Sequence, residues 1–285
     1  MSLQPYILSE PLAAKTPLVV DSPHSGRIYP ADFGYSCPLA LLRQTEDSYV
    51  DELIMGAVNA GGTVITAEFP RSYIDANRAE DDIDPAVLSE PWPTTLKPSA
   101  RTLLGLGLVR RLCRSNVPVY AAPLSVAEVQ ERIEKFYRPY HAALANTLSQ
   151  AVSEFGECYL INAHSMPSQS HENRLVRRPD FILGDRDGTS CDPSFTRRVQ
   201  NILLDMGYSV ALNDPYKGVE IARRYGQPQS GQHALQLEIN RRLYMNEQTL
   251  EKTEGFARLQ KNLTEFFQIL AAEIISAVPD RLAAE

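Results

Sequence analysis

Two of the five histidines in this 285-residue chain stand in matching positions. His24 follows the apolar run Leu18-Val19-Val20 and sits in Pro23-His24-Ser25-Gly26; His164 closes CYLINAHS, Cys158 to Ser165, before a small residue. Imidazole is a borderline ligand that suits zinc, and a catalytic zinc commonly takes three protein donors and a water. Two histidines from separate strand ends supply two donors, and a carboxylate would supply the third. The stretch RQTEDSYVDEL offers Glu46, Asp47, Asp51 and Glu52. Asp47 and Asp51 fall one helical turn apart, on one face. The same acids could equally be residues that complement a helix N-terminus. Spacing alone leaves both readings open.

Two more stretches carry chemistry. RSYIDANRAEDD, Arg71 to Asp82, packs Arg71, Asp75, Asn77 and Arg78 into a short loop. A planar guanidinium suits carboxylate recognition and the steadying of an oxyanion. A surface loop with satisfied ion pairs would read the same way. In the apolar run LQLEI, Glu238 is a lone acid. A buried charge is costly unless it is paired or put to use. By alternation Gln236 and Glu238 share one face, and Leu235, Leu237 and Ile239 the other. A glutamate beside an activated water is a usual general base; a salt bridge to Arg241 or Arg242 is the alternative. Arg223 and Arg224 are further candidates for binding an anion.

These residues need elements to place them. Apolar runs bounded by Gly, Pro, Asn or Asp predict strands over Thr16–Pro23, Gly61–Phe69, Val117–Leu124, Cys158–Ser165, Tyr208–Asp214 and His233–Asn240. Helical periodicity predicts Thr45–Val58, Ser125–Phe155, Ser194–Met206 and Gly255–Val278, with Pro139 kinking the second of these. Strands alternating with helices predict an α/β domain with a sheet covered on both sides. Ligands of such sheets gather just beyond the strand ends, where His24, His164 and Glu238 fall.

Composition sets the frame. With 44% hydrophobic and 22% charged residues, usage is that of an ordinary globular chain, and one domain over 1–285 is expected. Cys37, Cys113, Cys158 and Cys191 form no CxxC and read as reduced thiols of a cytoplasmic protein. MSLQPYILSE lacks the features of a signal peptide, and no apolar run approaches the roughly 18 residues of a membrane span. A net charge of −7 argues against a nucleic-acid partner. It leaves room for a small anion held by a local arginine cluster. Oligomeric state is not legible.

Taken in order, PHSG, EDSYVDEL, RSYIDANR, NAHSMPS, PDFILGDRDGTSCD and GQHALQLEINRRLYM resemble the N-formylglutamate amidohydrolases. The likeness runs from Leu18 to Met245, with YRPYH, Tyr137 to His141, as a further shared feature. It implies a three-layer α/β/α sandwich around a mixed, mostly parallel sheet, distantly similar to zinc carboxypeptidases and aspartoacylase. It implies one zinc on His24, His164 and an acid. The HxxE pair of carboxypeptidases is absent, because Arg27 stands three residues after His24. Asp47 is therefore favoured as the acidic ligand, with Glu46 as the alternative. The resemblance further implies Glu238 as general base, Arg71 as oxyanion partner, and Asn77, Arg78 and Arg223 for substrate carboxylates. The implied reaction takes N-formyl-L-glutamate to L-glutamate and formate, the last step of one histidine-degradation route. Another N-acyl acidic amino acid, a peptide, or a non-catalytic anion-binding role are the alternatives. The loop Ser165 to Asp180, with Arg174, Arg177 and Arg178, would either select an acidic substrate or be solvated surface. His171 and His233 receive no role.

Overall fold

A computed structural model describes residues 4–113, 116–169 and 177–282. Seven strands form one sheet: β1 Tyr6–Ser9, β2 Leu18–Ser22, β3 Thr63–Ala67, β4 Cys158–Met166, β5 Phe181–Gly184, β6 Val210–Leu212 and β7 Gln232–Asn240. Their order is β1-β3-β2-β4-β7-β5-β6. Strands β2, β4 and β7 run parallel, β5 runs antiparallel to β7, and β6 parallel to β5. The sheet is mixed and the fold α/β, as expected. The helices are α1 Leu39–Arg43, α2 Val50–Ile54, α3 Gly56–Asn59, α4 Ala100–Leu103, α5 Val126–Arg132, α6 Arg138–Phe155, α7 Pro193–Asp205, α8 Glu220–Tyr225 and α9 Gly255–Leu282. Among the described residues no helix is long and apolar enough to cross a membrane.

The chain forms two compact units, Met1–Ile7 with Pro23–Ser48 and Thr66–Ala143, and Leu8–Ser22 with Tyr49–Ile65 and Leu144–Glu285. In the second, alternation along β4 and β7 decides which side chains face which way. Ile161, Ala163, Leu235, Leu237 and Ile239 join Leu18, Val20, Phe181 and Leu183 in one apolar cluster. Leu53 and Ile54 of α2, Phe195 and Val199 of α7, and Leu263, Phe266, Phe267 and Leu270 of α9 complete it. Each such side chain contributes roughly 1.5–3 kcal/mol on burial. A one-residue slip would turn all of them to the wrong face, so the strand register is strongly fixed. The opposite parity is thereby fixed too, and it carries Asn162, His164, Gln236 and Glu238.

In the first unit, Phe33, Tyr73 and Tyr120 enclose the Arg132 guanidinium, which lies 4.2 Å from the Tyr73 ring centroid. Its donors reach the Tyr73 carbonyl at 3.1 Å, the Tyr120 hydroxyl at 2.6 Å and the Phe33 carbonyl at 3.3 Å. A buried cation is tolerable when its hydrogen bonds are so completed.

Some local expectations change. Val117–Leu124 makes only isolated bridges, because Pro118 and Pro123 withhold the donors a ladder needs. The helix expected from Thr45 starts at Val50, since Tyr49 takes φ 67° and breaks the first turn. Asp47 therefore lies in a loop. The long helix is interrupted by a π-turn over Ile133–Tyr137. Pro139 offers no N–H to the carbonyl four residues back, and a widened turn accommodates that loss. Strands β1 and β5, of four residues each, fall outside the runs that the sequence predicts as strands.

Candidate active site

His24, His164 and Glu238 all lie at the C-terminal ends of the parallel strands β2, β4 and β7. His24 stands two residues beyond β2. Gly26 makes its loop possible: a Cβ there would sit 2.2 Å from the Phe69 carbonyl oxygen and 2.7 Å from that of Ala67. The role of this glycine is close backbone approach. The Asp47 amide donates to the His24 carbonyl at 3.0 Å, so the two loops are tied through the backbone.

Asp75 is the hub of this region and is fully buried. Its Oδ1 accepts from the Asn77 amide at 2.9 Å and lies 2.6 Å from His24 Nε2. Its Oδ2 accepts from Arg71 Nη2 at 2.9 Å and Nε at 3.3 Å, with Arg110 Nη2 at 3.7 Å. Burial alone would raise the Asp75 carboxyl, but Arg71, His24 and Arg110 hold it well below the ordinary range. An ionised carboxylate only accepts, so His24 Nε2 is the donor. His24 Nδ1 then faces Asp47 Oδ2 at 3.4 Å. With that nitrogen unprotonated the pair is two acceptors face to face, which a cation satisfies.

His164 is fixed differently. Asn162 Nδ2 donates to Asp21 Oδ1 at 2.9 Å, which turns Asn162 Oδ1 toward His164 Nε2 at 2.8 Å. His164 Nε2 is again the donor and Nδ1 the acceptor. In register, Asn162 lies beside Gln236 and His164 beside Glu238. Gln236 Nε2 donates to Glu238 Oε1 at 2.9 Å. All four side chains are buried.

His24, Asp47 and His164 each offer a ligand atom, and these atoms lie within 4.8 Å of one another. Imidazole, imidazole and carboxylate form a donor set that fits a divalent ion of the zinc type. Each imidazole also has its other nitrogen oriented by an oxygen acceptor, as metal-binding histidines commonly do. Glu46 is turned elsewhere: its carboxylate meets the Tyr29 hydroxyl, and Arg43 Nε lies 3.6 Å away. Burial pushes Glu46 up to about 7.

The remaining expected residues divide. Arg71, with a side chain 17% exposed, stands 4.0 Å from Asp47 Oδ2. Arg78 is buried, 3.9 Å from Asp82. Asn77 is buried beside Asp75. The YRPYH segment holds this loop by its carbonyls: Tyr137 Oη donates to Arg78 O at 2.8 Å, and His141 Nε2 lies 2.9 Å from Ala76 O. Arg223, in α8, forks onto Glu220 at 2.8 Å and is 56% exposed. Arg241 Nε donates to Ser165 Oγ, and Arg242 pairs with Asp180. Arg178 stacks on Tyr216 and donates to the Pro167 carbonyl. His171 and Arg174 lie outside the described residues. His233 sits near the start of β7, five residues from Glu238 and so on the opposite face; it stacks on Tyr159 and its Nδ1 accepts from the Asp192 amide.

Asp21, Asn162 and Arg110 carry no signal that the sequence reading picks up, and Asp75 is named there without a role. For Asn162 a signal existed, since it shares strand parity with His164 in NAH. For Arg110 none existed locally. It is brought to Asp75 because the Asp75 amide donates to Leu108 O at 2.7 Å, and the Leu108 amide to Asp82 O at 2.8 Å.

A mixed α/β sheet that gathers imidazoles and acids at its parallel strand ends belongs to the broad class whose ligands lie beyond those ends. Residues 16–245 match the family model of N-formylglutamate amidohydrolase. The chain is similar to N-formylglutamate deformylase of Pseudomonas putida, at 31% identity over 93% of this chain and 92% of that protein. Its likeness to the N-formylglutamate deformylase of Pseudomonas aeruginosa is 34% over 82% of this chain and 84% of that protein. The crystal structure of N-formylglutamate amidohydrolase from Ralstonia eutropha JMP134 superposes with a TM-score of 0.94 at 46% identity, covering 97% of this chain and all of the other. This chain belongs to the N-formylglutamate amidohydrolase family.

Proposed function

We propose that this chain, acting as one hydrolase domain, cleaves the amide bond of N-formyl-L-glutamate to give L-glutamate and formate. The observation that carries the reading is the convergence of His24, Asp47 and His164, with Glu238 beside His164 on the neighbouring strand. Those three residues would hold one divalent ion, for which zinc is the natural occupant. When bound, the ion supplies Lewis-acid chemistry, making a water acidic near neutral pH and polarising a carbonyl oxygen. Glu238, oriented through Oε1 by Gln236, takes the proton of the attacking water and delivers it to the departing amine as the C–N bond breaks. Arg71 faces the charge that develops on the carbonyl oxygen, held ready by its fork on Asp75. Asn77 and Arg78 take a substrate carboxylate, and Arg223 is a peripheral partner.

Formate release from a panel of N-acyl amino acids, before and after chelation, tests this reading. N-formyl-L-glutamate should be the preferred member, with activity lost on chelation and restored by added zinc. Glu238→Gln should keep the ion while turnover falls by at least about 100-fold. Full activity in the ion-free protein would remove the metal from the mechanism. Full activity in Glu238→Gln would remove the base.

A further inference from the structure

The sheet face that carries Glu238 continues onto β5. There Ile182 is the register partner of Glu238, and Gly184 that of Gln236. Directly opposed residues of two antiparallel strands point to the same side. Gly184 therefore lies on the site face and has no side chain to put there. Main chain takes the space instead. A Cβ on Gly184 would lie 2.7 Å from the Gly218 nitrogen, 2.7 Å from the Lys217 carbonyl carbon and 2.8 Å from the Tyr216 carbonyl oxygen. The segment Tyr216–Gly218 thus crosses β5 in direct contact with the strand, as only a glycine permits.

The Tyr216 ring is pinned at the other end of β5. Arg178, three residues before the strand begins, lays its guanidinium 5.2 Å from the ring centroid. Arg178 is itself tied down: it donates to the Pro167 carbonyl at 3.1 Å, one residue beyond β4, and its own carbonyl accepts from Asn240 Nδ2 at 3.2 Å, at the end of β7. Between the Gly184 crossing and this anchor the side chain runs along the level of Ile182, and so alongside Glu238. Glu238 then has His164 of β4 on one side and Tyr216 on the other. Tyr216 and Arg178 are both half-buried, so the wall they form borders open space.

Strand order says which half of a substrate meets this wall. The loop with Arg71, Asn77 and Arg78 follows β3, and the order β3-β2-β4-β7-β5 puts β3 and β5 on opposite sides of the strands that carry His164 and Glu238. A substrate carboxylate held by Asn77 and Arg78, with the amide beside Glu238, leaves the acyl group directed toward β5. We propose that Tyr216, held by Gly184 and Arg178, sets the size of the acyl group, admitting the hydrogen of a formyl group where a methyl would strike the ring. This rests on the deformylase reading and deepens it from the bond that is cleaved to the residue that selects the acyl group.

The experiment compares kcat/KM for N-formyl-L-glutamate with that for N-acetyl-L-glutamate. The wild type should favour the formyl compound by about 30-fold or more, and Tyr216→Ala should shrink that ratio at least about tenfold. Tyr216→Phe keeps the ring and should keep the ratio within about twofold, which a role for the hydroxyl would not allow. Should Tyr216→Ala not fold, Arg178→Ala releases the ring at a half-buried position and should shrink the ratio about threefold. A wild type that takes both substrates equally, or a ratio unchanged in the folded variants, overturns the proposal. Binding separates it from the deformylase reading. By calorimetry the wild type should hold N-formyl-L-glutamate about tenfold more tightly than N-acetyl-L-glutamate, and Tyr216→Ala should bring the two together. If neither compound is cleaved but binding behaves as stated, the reaction assignment fails and the wall stands. If binding discriminates equally in wild type and variant, Tyr216 fails whatever the reaction.

Discussion

His24 and His164 are held in place by opposite means. His24 Nε2 meets an ionised carboxylate directly, and that carboxylate is locked in turn by Arg71 and a backbone amide. His164 Nε2 meets a neutral amide, and the acid stands one step further back at Asp21. The first arrangement is a charged cluster in a loop, where the chain has no register to rely on. The second is built into adjacent strands, where Asp21 and Asn162 are register partners and the ladder fixes geometry without charge. Loops need strong local interactions to hold an imidazole; a central sheet needs only a hydrogen bond of the right polarity.

The sharpest break comes at Asp75. Asp75→Asn leaves buried guanidiniums without their counterion and should cost about 3–5 kcal/mol in urea unfolding. A loss under about 1 kcal/mol would mean that charge does not organise this loop. The same residue sets a pH signature. Its carboxyl is held well below its ordinary value in the folded protein, so its stabilising contribution is complete above the ordinary carboxylate range. It is lost as pH falls below that range and through the folded value. Acid unfolding followed by circular dichroism should show that limb in the wild type and a flatter one in Asp75→Asn.

Asn162→Ala removes the acceptor on the His164 side. Ion affinity, read by equilibrium dialysis against a competing chelator, should fall about 10–100-fold with overall stability less affected than in Asp75→Asn. Asp21→Asn acts one bond further away and should fall short of Asn162→Ala. If it proves the larger, the acid rather than the amide orients His164, and the two sites are more alike than their geometry suggests. The smallest effect belongs to Tyr137→Phe. It deletes one hydrogen bond to the Arg78 carbonyl, worth about 1 kcal/mol, and should appear as a few-fold rise in KM for N-formyl-L-glutamate.

The difference between the two regions also explains what sequence could reveal. Strands announce themselves by apolar runs and parity, so the sequence alone assigns His164, Gln236 and Glu238 to elements and faces. The core of the sheet was legible for the same reason. Loops carry no such period. Acids near an apolar repeat look like a helix start, which is how Asp47 reads in sequence, and only the left-handed Tyr49 moves that start to Val50. Asp75 reads as one polar residue among several in its stretch. Arg110 depends on two backbone hydrogen bonds between segments some 30 residues apart, which no local pattern encodes. The run Val117–Leu124 misled because its composition is strand-like while its prolines refuse the ladder.

The π-turn at Ile133–Tyr137 carries a further consequence. Arg132, before it, grips the Tyr73 carbonyl; Tyr137 and His141, after it, grip those of Arg78 and Ala76. All three grips land on one short loop, which the wider turn brings into phase. The turn therefore works as a phase setting of the kind a single inserted residue creates. Deleting one residue between Ile133 and Phe136 would restore regular winding and rotate α5 against α6 by about 100°. One end of the loop or the other would then be dropped. The length of this helical stretch is thus coupled to the placement of the loop that carries Arg78.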